Sequence, residues 1–185
     1  SKAKNSNEFL KELEGSGQVL ISARPTAVSL PNAVRFVLFR IKTSQLDIPQ
    51  LKELTTNTVD KFVRDSMGAV KKIGEIGAKR ISSGDTLMTH CNSTAAISII
   101  KTAFNQGKDI KVIATESRPR YQGHITVREL AKAGIPTTLI VDSAARLFMK
   151  QVDKVVVGAD SIAANGAVVN KIGTSQIALF AHEAR

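Results

Sequence analysis

The chain's single cysteine, Cys91, lies where a short apolar run at residues 86–89 gives way to a predicted helix that begins with Asn92, Ser93 and Thr94. The unsatisfied backbone N–H groups at a helix start favour a nearby negative charge. A cysteine at such a position ionises more readily than usual and can act as a base or a nucleophile. The residue types therefore predict a reactive thiol beside backbone amides.

The alternative role for Cys91 is structural, because a lone cysteine is more often a small buried side chain than a reactive one. Its two neighbours, His90 and Asn92, are polar and fit a continuous apolar core poorly. This context favours the reactive interpretation.

A carboxylic acid that could work with the thiol is Asp160, which ends a second apolar run at residues 155–159. An acid and a base at two strand ends suggest one site for proton transfer. The alternative for Asp160 is a cap or turn role, which is frequent for aspartate after a Gly-Ala step. The sequence by itself leaves both roles open.

From residue 85 onward, short apolar segments alternate with helical ones, a pattern typical of a doubly wound parallel sheet. Strands are predicted near residues 85–89, 110–114, 137–141 and 154–158, and helices near 93–106, 123–133 and 143–150. Ligands of such sheets bind beyond the carboxyl ends of the strands. We therefore expect one crevice lined by Cys91, the turn at 116–118, the pair Asp142-Ser143 and Asp160.

Two loops have the composition of anion sites. Arg118-Pro119-Arg120 follows a predicted strand directly and precedes Gln122-Gly123, which favours a phosphate-binding loop over a solvated turn. Further along, Asn165-Gly166 predicts a tight turn. Lys171 then precedes a helix that begins at Gly173-Thr174, an arrangement suited to holding an anion.

The first 80 or so residues have a helical period instead. Asn5 and Glu8 resemble a capping box, and Pro31 suits the first position of a second helix. A third helix is predicted from Ile48 to Lys79. Its expected buried face consists of Leu51, Leu54, Phe62, Val63, Val70 and Ile73. We expect a helical subdomain over residues 1–83 and a sheet domain over 84–185.

Composition narrows the function classes. The net charge is +10, but the basic residues are dispersed, aromatic residues make up only 4% and tryptophan is absent, which argues against nucleic-acid binding. One cysteine excludes an internal disulfide. No long apolar run and no secretory leader are seen, so we expect a soluble cytoplasmic protein without a membrane partner. The histidines lack metal-ligand spacing, and no metal site is predicted.

Several motifs together resemble a known superfamily. They are Ala23 to Val28, Thr89-His90-Cys91-Asn92-Ser93, Thr115-Glu116-Ser117-Arg118-Pro119 with Gln122-Gly123, Gly158-Ala159-Asp160-Ser161, Asn165-Gly166 and Asn170-Lys171-Ile172-Gly173-Thr174. In this order they resemble the superfamily that joins sugar-phosphate isomerases to the regulatory subunits of translation initiation factor 2B. Within it, the segments 29–33 and 165–171 are most similar to archaeal ribose-1,5-bisphosphate isomerases. Asn92 instead resembles the methylthioribose-1-phosphate branch, and Thr94 stands where the ribose bisphosphate branch has lysine.

The resemblance implies a fold and an activity. It implies a helical subdomain followed by a Rossmann-like α/β domain, truncated at its C-terminus because the family has further strands and helices, and an Arg-Gly-Ala-Gly phosphate motif upstream. It implies an aldose-ketose isomerase that makes ribulose 1,5-bisphosphate from ribose 1,5-bisphosphate in nucleoside salvage. Cys91 and Asp160 would be the catalytic pair. The phosphates would be held by Arg24, Arg118, Gln122, Asn170 and Lys171.

The resemblance also implies partners and alternatives. No cofactor is expected, and the expected partners are a sugar phosphate, further copies of the chain in a dimer or hexamer, and an activating nucleotide. The first alternative is a non-catalytic regulatory subunit of the initiation-factor type. The second is a methylthioribose-1-phosphate isomerase.

Overall fold

The structure is a computed structural model that describes residues 3–23 and 28–184. Arg24, one of the expected phosphate ligands, lies outside the described residues. Contacts within the chain form two compact units, residues 1–68 and 69–185. The expected domain boundary between residues 83 and 84 stays a prediction. Within the described ranges, no helix has both the length and the apolar composition needed to cross a membrane.

The first unit is helical. It contains α1 (Ser6–Ala23), α2 (Ser29–Lys42) and the first part of α3 (Ile48–Ala78). Phe9, Ile41 and Leu51 form its buried core, one from each helix. Asn5 caps α1 as predicted, because its Oδ1 accepts a hydrogen bond from the backbone N–H of Glu8 at 2.9 Å.

The expected buried face of α3 was partly wrong. Leu51 is buried, but Val63 and Ile73 are 50% and 42% exposed. In the last turns of α3, two glycines make the close approach to the neighbouring helix instead. A Cβ added at Gly74 would lie 2.3 Å from Ser98 Oγ, and a Cβ added at Gly77 would lie 2.5 Å from Ile99 Cγ1. This glycine face brings the backbones together and turns Ile73 outward.

The second unit alternates strands and helices. Its elements are β1 (Thr86–Thr89), α4 (Thr94–Asn105), β2 (Lys111–Thr115), α5 (Gln122–Lys132), β3 (Thr137–Ile140), α6 (Ala145–Phe148) between two 3₁₀ turns (Asp142–Ala144 and Met149–Gln151), β4 (Lys154–Val155), β5 (Ser161–Ile162), β6 (Val168–Val169) and α7 (Thr174–Glu183). The helical subdomain and the parallel-sheet fold class are thus confirmed.

The main sheet has the order β3-β2-β1-β4, and every neighbouring pair is parallel. The chain builds outward from β1 to β3 and then crosses back to place β4 on the other side of β1. This reversal creates a crevice at the carboxyl end of β1. β4 is shorter than predicted, although Val156 N–H still donates to Met88 O at 2.8 Å.

The two central strands, β1 and β2, are buried on both faces, because their successive residues point to opposite sides and helices cover each side. Leu87 and Val112 pack into one apolar cluster with residues of α4 and α5. Their neighbours Met88 and Ile113 pack into a second cluster with residues of α6 and α7. Two-sided burial holds the strand ends rigidly in place.

A small antiparallel hairpin follows the sheet. Ser161 pairs with Val169 and Ile162 with Val168. The turn is closed by Asn165, whose Oδ1 accepts from the backbone N–H of Ala167 at 3.1 Å. The predicted Asn-Gly turn is confirmed, and it returns the chain to the start of α7.

Asp85 connects the base of β1 to β4. Its Oδ2 accepts hydrogen bonds from Ser82 N–H at 2.7 Å and from Lys154 Nζ at 2.6 Å. Burial alone would raise the pKa of this carboxyl, but the hydrogen bonds from Lys154 and Ser82 outweigh it and hold the pKa below its ordinary value. The ionised form is therefore the one that stabilises the fold.

We expect Asp85→Asn to lower the free energy of unfolding at pH 7 by about 1–3 kcal/mol, since it removes the charge that pairs with Lys154. A lowered folded-state pKa contributes stability that is present above the unfolded pKa and lost as the pH falls through the folded one. The difference from wild type should therefore shrink below about pH 4. Urea denaturation from pH 7 to pH 3 measures this difference in the free energy of unfolding.

The matched control is Asp65→Asn, in the exposed Lys61–Asp65 pair, which should have little effect. A pH-independent difference would contradict the assignment.

Candidate functional site

Cys91 lies two residues after the end of β1, in a left-handed backbone conformation with φ 68°. This conformation is uncommon for a residue with a side chain and needs support from its surroundings. Two hydroxyl groups supply it. The Cys91 N–H donates to Ser117 Oγ at 2.7 Å, and Thr126 Oγ1 donates to the Cys91 carbonyl at 2.7 Å. The thiol is thus presented, half-buried, on a backbone clamped from both sides.

The start of α4 lies immediately beyond the cysteine. Ser93 Oγ caps the helix by accepting from Ala96 N–H at 3.3 Å. Gly158, after β4, approaches so closely that an added Cβ would lie 2.4 Å from Ser93 Oγ. The chain leaving β4 therefore crosses the edge of the sheet against the start of α4.

The ends of β2 and β3 are joined by one carboxylate. Asp142 follows β3, and its Oδ1 and Oδ2 accept from the backbone N–H groups of Ser117 and Arg118, each at 2.8 Å. Ser117 also has a positive φ, 61°. Together with the Cys91–Ser117 bond, this connects three of the four strand ends that were expected to share a crevice.

His90 lies under these strand ends and is only 2% exposed. Its Nε2 is 2.7 Å from the Ile172 carbonyl, and its Nδ1 is 2.6 Å from Thr115 Oγ1. A carbonyl can only accept, so Nε2 carries the proton. The expectation that this segment fits a core poorly was wrong for His90, because the core offers polar partners at both ring nitrogens.

Two of the expected phosphate ligands lie at the start of α5. The exposed Arg118 guanidinium donates to Tyr121 Oη and lies over that ring, 5.0 Å from its centroid. Gln122 begins α5, and its Oε1 is buried without a hydrogen-bond partner among the described residues. A buried acceptor without a donor is costly, which makes Gln122 a candidate for contact with a ligand.

Two more of the expected phosphate ligands, Asn170 and Lys171, lie in the loop before α7. Asn170 Nδ2 donates to Thr174 Oγ1 at 3.0 Å, and the Lys171 carbonyl accepts from Thr174 N–H at 3.1 Å. Gly173 has φ 101°, and an added Cβ would lie 3.1 Å from the His90 ring. The loop is therefore seated on His90, which brings Lys171 to the same edge of the sheet as Cys91.

Asp160 is less closely integrated. It immediately precedes β5, and its backbone N–H donates to Val169 O at 2.8 Å. Its side chain is exposed and makes no hydrogen bond or ion pair with any residue in the described part of the chain. No hydrogen bond or ion pair joins Asp160 to Cys91 among the described residues, and the role of Asp160 in catalysis stays a prediction.

The sequence singled out Ser117 and Asp142 as strand-end residues but missed His90 and Thr126 as supports of the site. Thr126 lies one helical turn after Gln122, a spacing that places both on the same side of α5. That spacing is the signal that could have found it. No group of three or more possible metal ligands occurs in residues 3–23 and 28–184.

Gly123 gives a direct test of how tightly α5 is seated. An added Cβ would lie 1.8 Å from the Thr115 carbonyl, so Gly123→Ala must displace the start of α5 from the end of β2. We expect the free energy of unfolding to fall by about 1–3 kcal/mol or more. Gly15→Ala is the control, because nothing lies within 4 Å of its Cβ in α1 and alanine favours a helix by about 0.5–1 kcal/mol. Chemical denaturation measures the free energy of unfolding of both variants. Wild-type stability of Gly123→Ala would contradict the close packing of the start of α5 against the end of β2.

The sequence matches known proteins along its whole length. The sequence model of the initiation factor 2 subunit family matches residues 1–185. The chain is 59% identical to ribose 1,5-bisphosphate isomerase of Pyrococcus furiosus, and the match covers 100% of this chain and 58% of that protein. It is 42% identical to methylthioribose-1-phosphate isomerase of Nitratidesulfovibrio vulgaris, covering 92% of this chain and 52% of that one.

The fold has solved counterparts as well. The crystal structure of the translation initiation factor eIF-2B from Pyrococcus horikoshii OT3 superposes with a TM-score of 0.86 at 32% identity, covering 97% of this chain and 62% of that one. The chain thus spans 58% of the length of the Pyrococcus furiosus relative. On the full-length family match and the 59% identity, the chain belongs to the initiation factor 2 subunit family.

Proposed function

We propose that the protein to which this chain belongs is an aldose-ketose isomerase that converts ribose 1,5-bisphosphate to ribulose 1,5-bisphosphate. The observation that carries the proposal is the 59% identity, over the whole chain, to a relative with that name. The clamped left-handed backbone at Cys91 supports it, since strain maintained by surrounding contacts is characteristic of active sites.

The chemistry needs an acid and a base. A ribose phosphorylated on its anomeric oxygen has no free hemiacetal, so the ring opens only when its ring oxygen is protonated. Hydrogen must then move from C2 to C1 to give the ketose. We assign ring-oxygen protonation to Asp160, and to Cys91 the removal of the C2 proton by its thiolate and the return of that proton to C1. The 2-hydroxyl loses its proton to the Asp160 carboxylate as the C2 ketone forms, which restores both groups. A direct hydride shift from C2 to C1, with Cys91 in a supporting role, would use the same residues.

Anion binding would come from two segments of the sheet unit. Arg118 lies in the turn before α5, which begins with Gln122, and Lys171 precedes the start of α7. Helix starts supply backbone N–H groups that favour phosphate, and the cationic side chains add charge-assisted hydrogen bonds. We assign Asn170 and Arg24 to the same task. For Arg24 the assignment rests on the family resemblance alone.

Two other functions compete with this one. Similarity to a structure named as a translation initiation factor favours a regulatory protein that binds a sugar phosphate or nucleotide only as a signal. The 42% identity to a methylthioribose-1-phosphate isomerase favours that substrate instead. Incubating the intact protein with each sugar phosphate and detecting the ketose by NMR separates the three. Turnover of ribose 1,5-bisphosphate alone supports the proposal, whereas turnover of methylthioribose 1-phosphate alone, or of neither, overturns it.

We also propose that the protein is cytoplasmic and forms a homo-oligomer through contacts made by the sheet unit and α7. We propose further that a nucleotide activates it and that its reaction serves nucleoside salvage. Exposed apolar side chains in this unit support an assembly, among them Leu147 and Ile172 at 75% and 80% exposure.

If the thiol and the acid are catalytic, Cys91→Ser and Asp160→Asn should each lower kcat by about 100-fold or more. Serine is nearly isosteric with cysteine but far less acidic, and asparagine keeps the shape of aspartate without its ionisable group. Tm and substrate binding should stay near wild type. Steady-state kinetics and calorimetry on the intact protein measure these quantities. A large loss of stability in Cys91→Ser would indicate a core cysteine, and retention of more than about a tenth of kcat would remove either residue from the mechanism.

A further inference from the structure

His90 is a buried titratable residue that the proposed mechanism does not use. It is 2% exposed and directly precedes Cys91. Its ring contacts two other parts of the site: the end of β2, through Thr115, and the loop before α7, through Ile172. A buried polar side chain that joins separate segments determines how those segments sit relative to one another.

The hydrogen bonds fix the orientation of the ring. Nε2–H donates to the Ile172 carbonyl, so in the neutral ring Nδ1 is left as the acceptor of the Thr115 hydroxyl hydrogen. Two further oxygens lie near Nδ1. Ser117 Oγ is 3.3 Å from Nδ1, and Asp142 Oδ1 is 4.0 Å from Nδ1. Both ring nitrogens are therefore engaged, and the ring cannot flip without losing the bond to the loop.

The loop is shaped to fit the ring. Gly173 adopts φ 101°, a conformation that side-chain-bearing residues rarely take. A Cβ at this position would lie 3.1 Å from both Cε1 and Nε2 of His90. The bond to Ile172 and the close approach of Gly173 place the ring under two consecutive residues, directly after Lys171.

We propose that His90 is a positioning residue that holds the Asn170–Lys171 loop at the correct distance from Cys91 for a phosphorylated sugar to span both. The inference rests on the proposed function for the identity of the ligand. His90 itself does not touch the reacting atoms. The hydrogen bond from Thr126 to the Cys91 carbonyl does not involve the ring. Loss of His90 should therefore weaken ligand binding more than it slows the chemical step.

The test compares His90→Phe with His90→Gln in the intact protein. Phenylalanine preserves an aromatic ring but donates no hydrogen bond to Ile172, whereas glutamine retains an N–H donor. His182→Phe is the matched control, because His182 is exposed near the end of α7. The readouts are KM and kcat with ribose 1,5-bisphosphate, and amide hydrogen exchange of residues 170–176 in the absence of ligand.

For His90→Phe we expect KM to rise about tenfold, the equivalent of one lost hydrogen bond, with kcat within about threefold of wild type. Exchange at residues 170–176 should quicken by a similar factor, and His90→Gln should recover part of both effects. The control should match wild type. Unchanged KM and exchange in folded His90→Phe would overturn the proposal, and so would a loss of kcat at unchanged KM.

If His90→Phe does not fold, Gly173→Ala decides, because it pushes the loop away from the ring without altering the histidine. The same rise in KM and the same faster exchange support the proposal, and wild-type values overturn it.

Hydrogen exchange can be measured whether or not the protein catalyses the reaction. An intact protein that does not isomerise the sugar would therefore count against the proposed function, while the exchange result would still decide the role of His90.

Discussion

Burial of the His90 imidazole at the carboxyl edge of the sheet obliges the surrounding segments to supply it with hydrogen-bond partners. A buried ring nitrogen without a partner costs on the order of 1–3 kcal/mol, which is a substantial part of the stability of a domain. Thr115 at the end of β2 and the Ile172 carbonyl before α7 meet this demand. The histidine therefore connects parts of the chain that are far apart in sequence.

The cysteine end of the site is held by further bonds at the same edge of the sheet. Ser117 Oγ accepts from the Cys91 N–H, and the Asp142 carboxylate accepts from the two N–H groups of the turn after β2. These bonds maintain left-handed backbones at Cys91 and Ser117 that would relax if isolated. The result is a thiol presented by a rigid backbone at the switch point of the sheet, where ligands of this fold class bind.

Much of this architecture could be predicted from the sequence, because the signals are local. Apolar periodicity located the helices and the sheet strands, and Asn165-Gly166 indicated the hairpin. The family motifs predicted the membership that the comparisons confirm. The failures concern packing between elements. Periodicity placed Ile73 in the core, but the close approach of Gly74 and Gly77 to α4 depends on a partner that sequence spacing does not reveal.

His90 shows the same limit within the site. Its polarity suggested a poor fit to a continuous apolar core. The Thr115 hydroxyl and the Ile172 carbonyl, which make its burial acceptable, come from other segments of the chain. Asp160 remains a prediction from motif and chemistry. Its side chain is exposed and has no hydrogen-bond or ion-pair partner within the described residues.

In the proposed function, one ligand spans Cys91 and the two anion-binding loops. A crystal structure of the intact Cys91→Ser protein with ribose 1,5-bisphosphate tests it most directly. We expect one phosphate near Arg118 and Gln122 and the other near Lys171. We also expect C2 of the sugar within about 4 Å of the introduced hydroxyl, and the Asp160 carboxyl near the ring oxygen. A sugar bound elsewhere, or bound with both phosphates on one loop and its C2 turned away from residue 91, would contradict it.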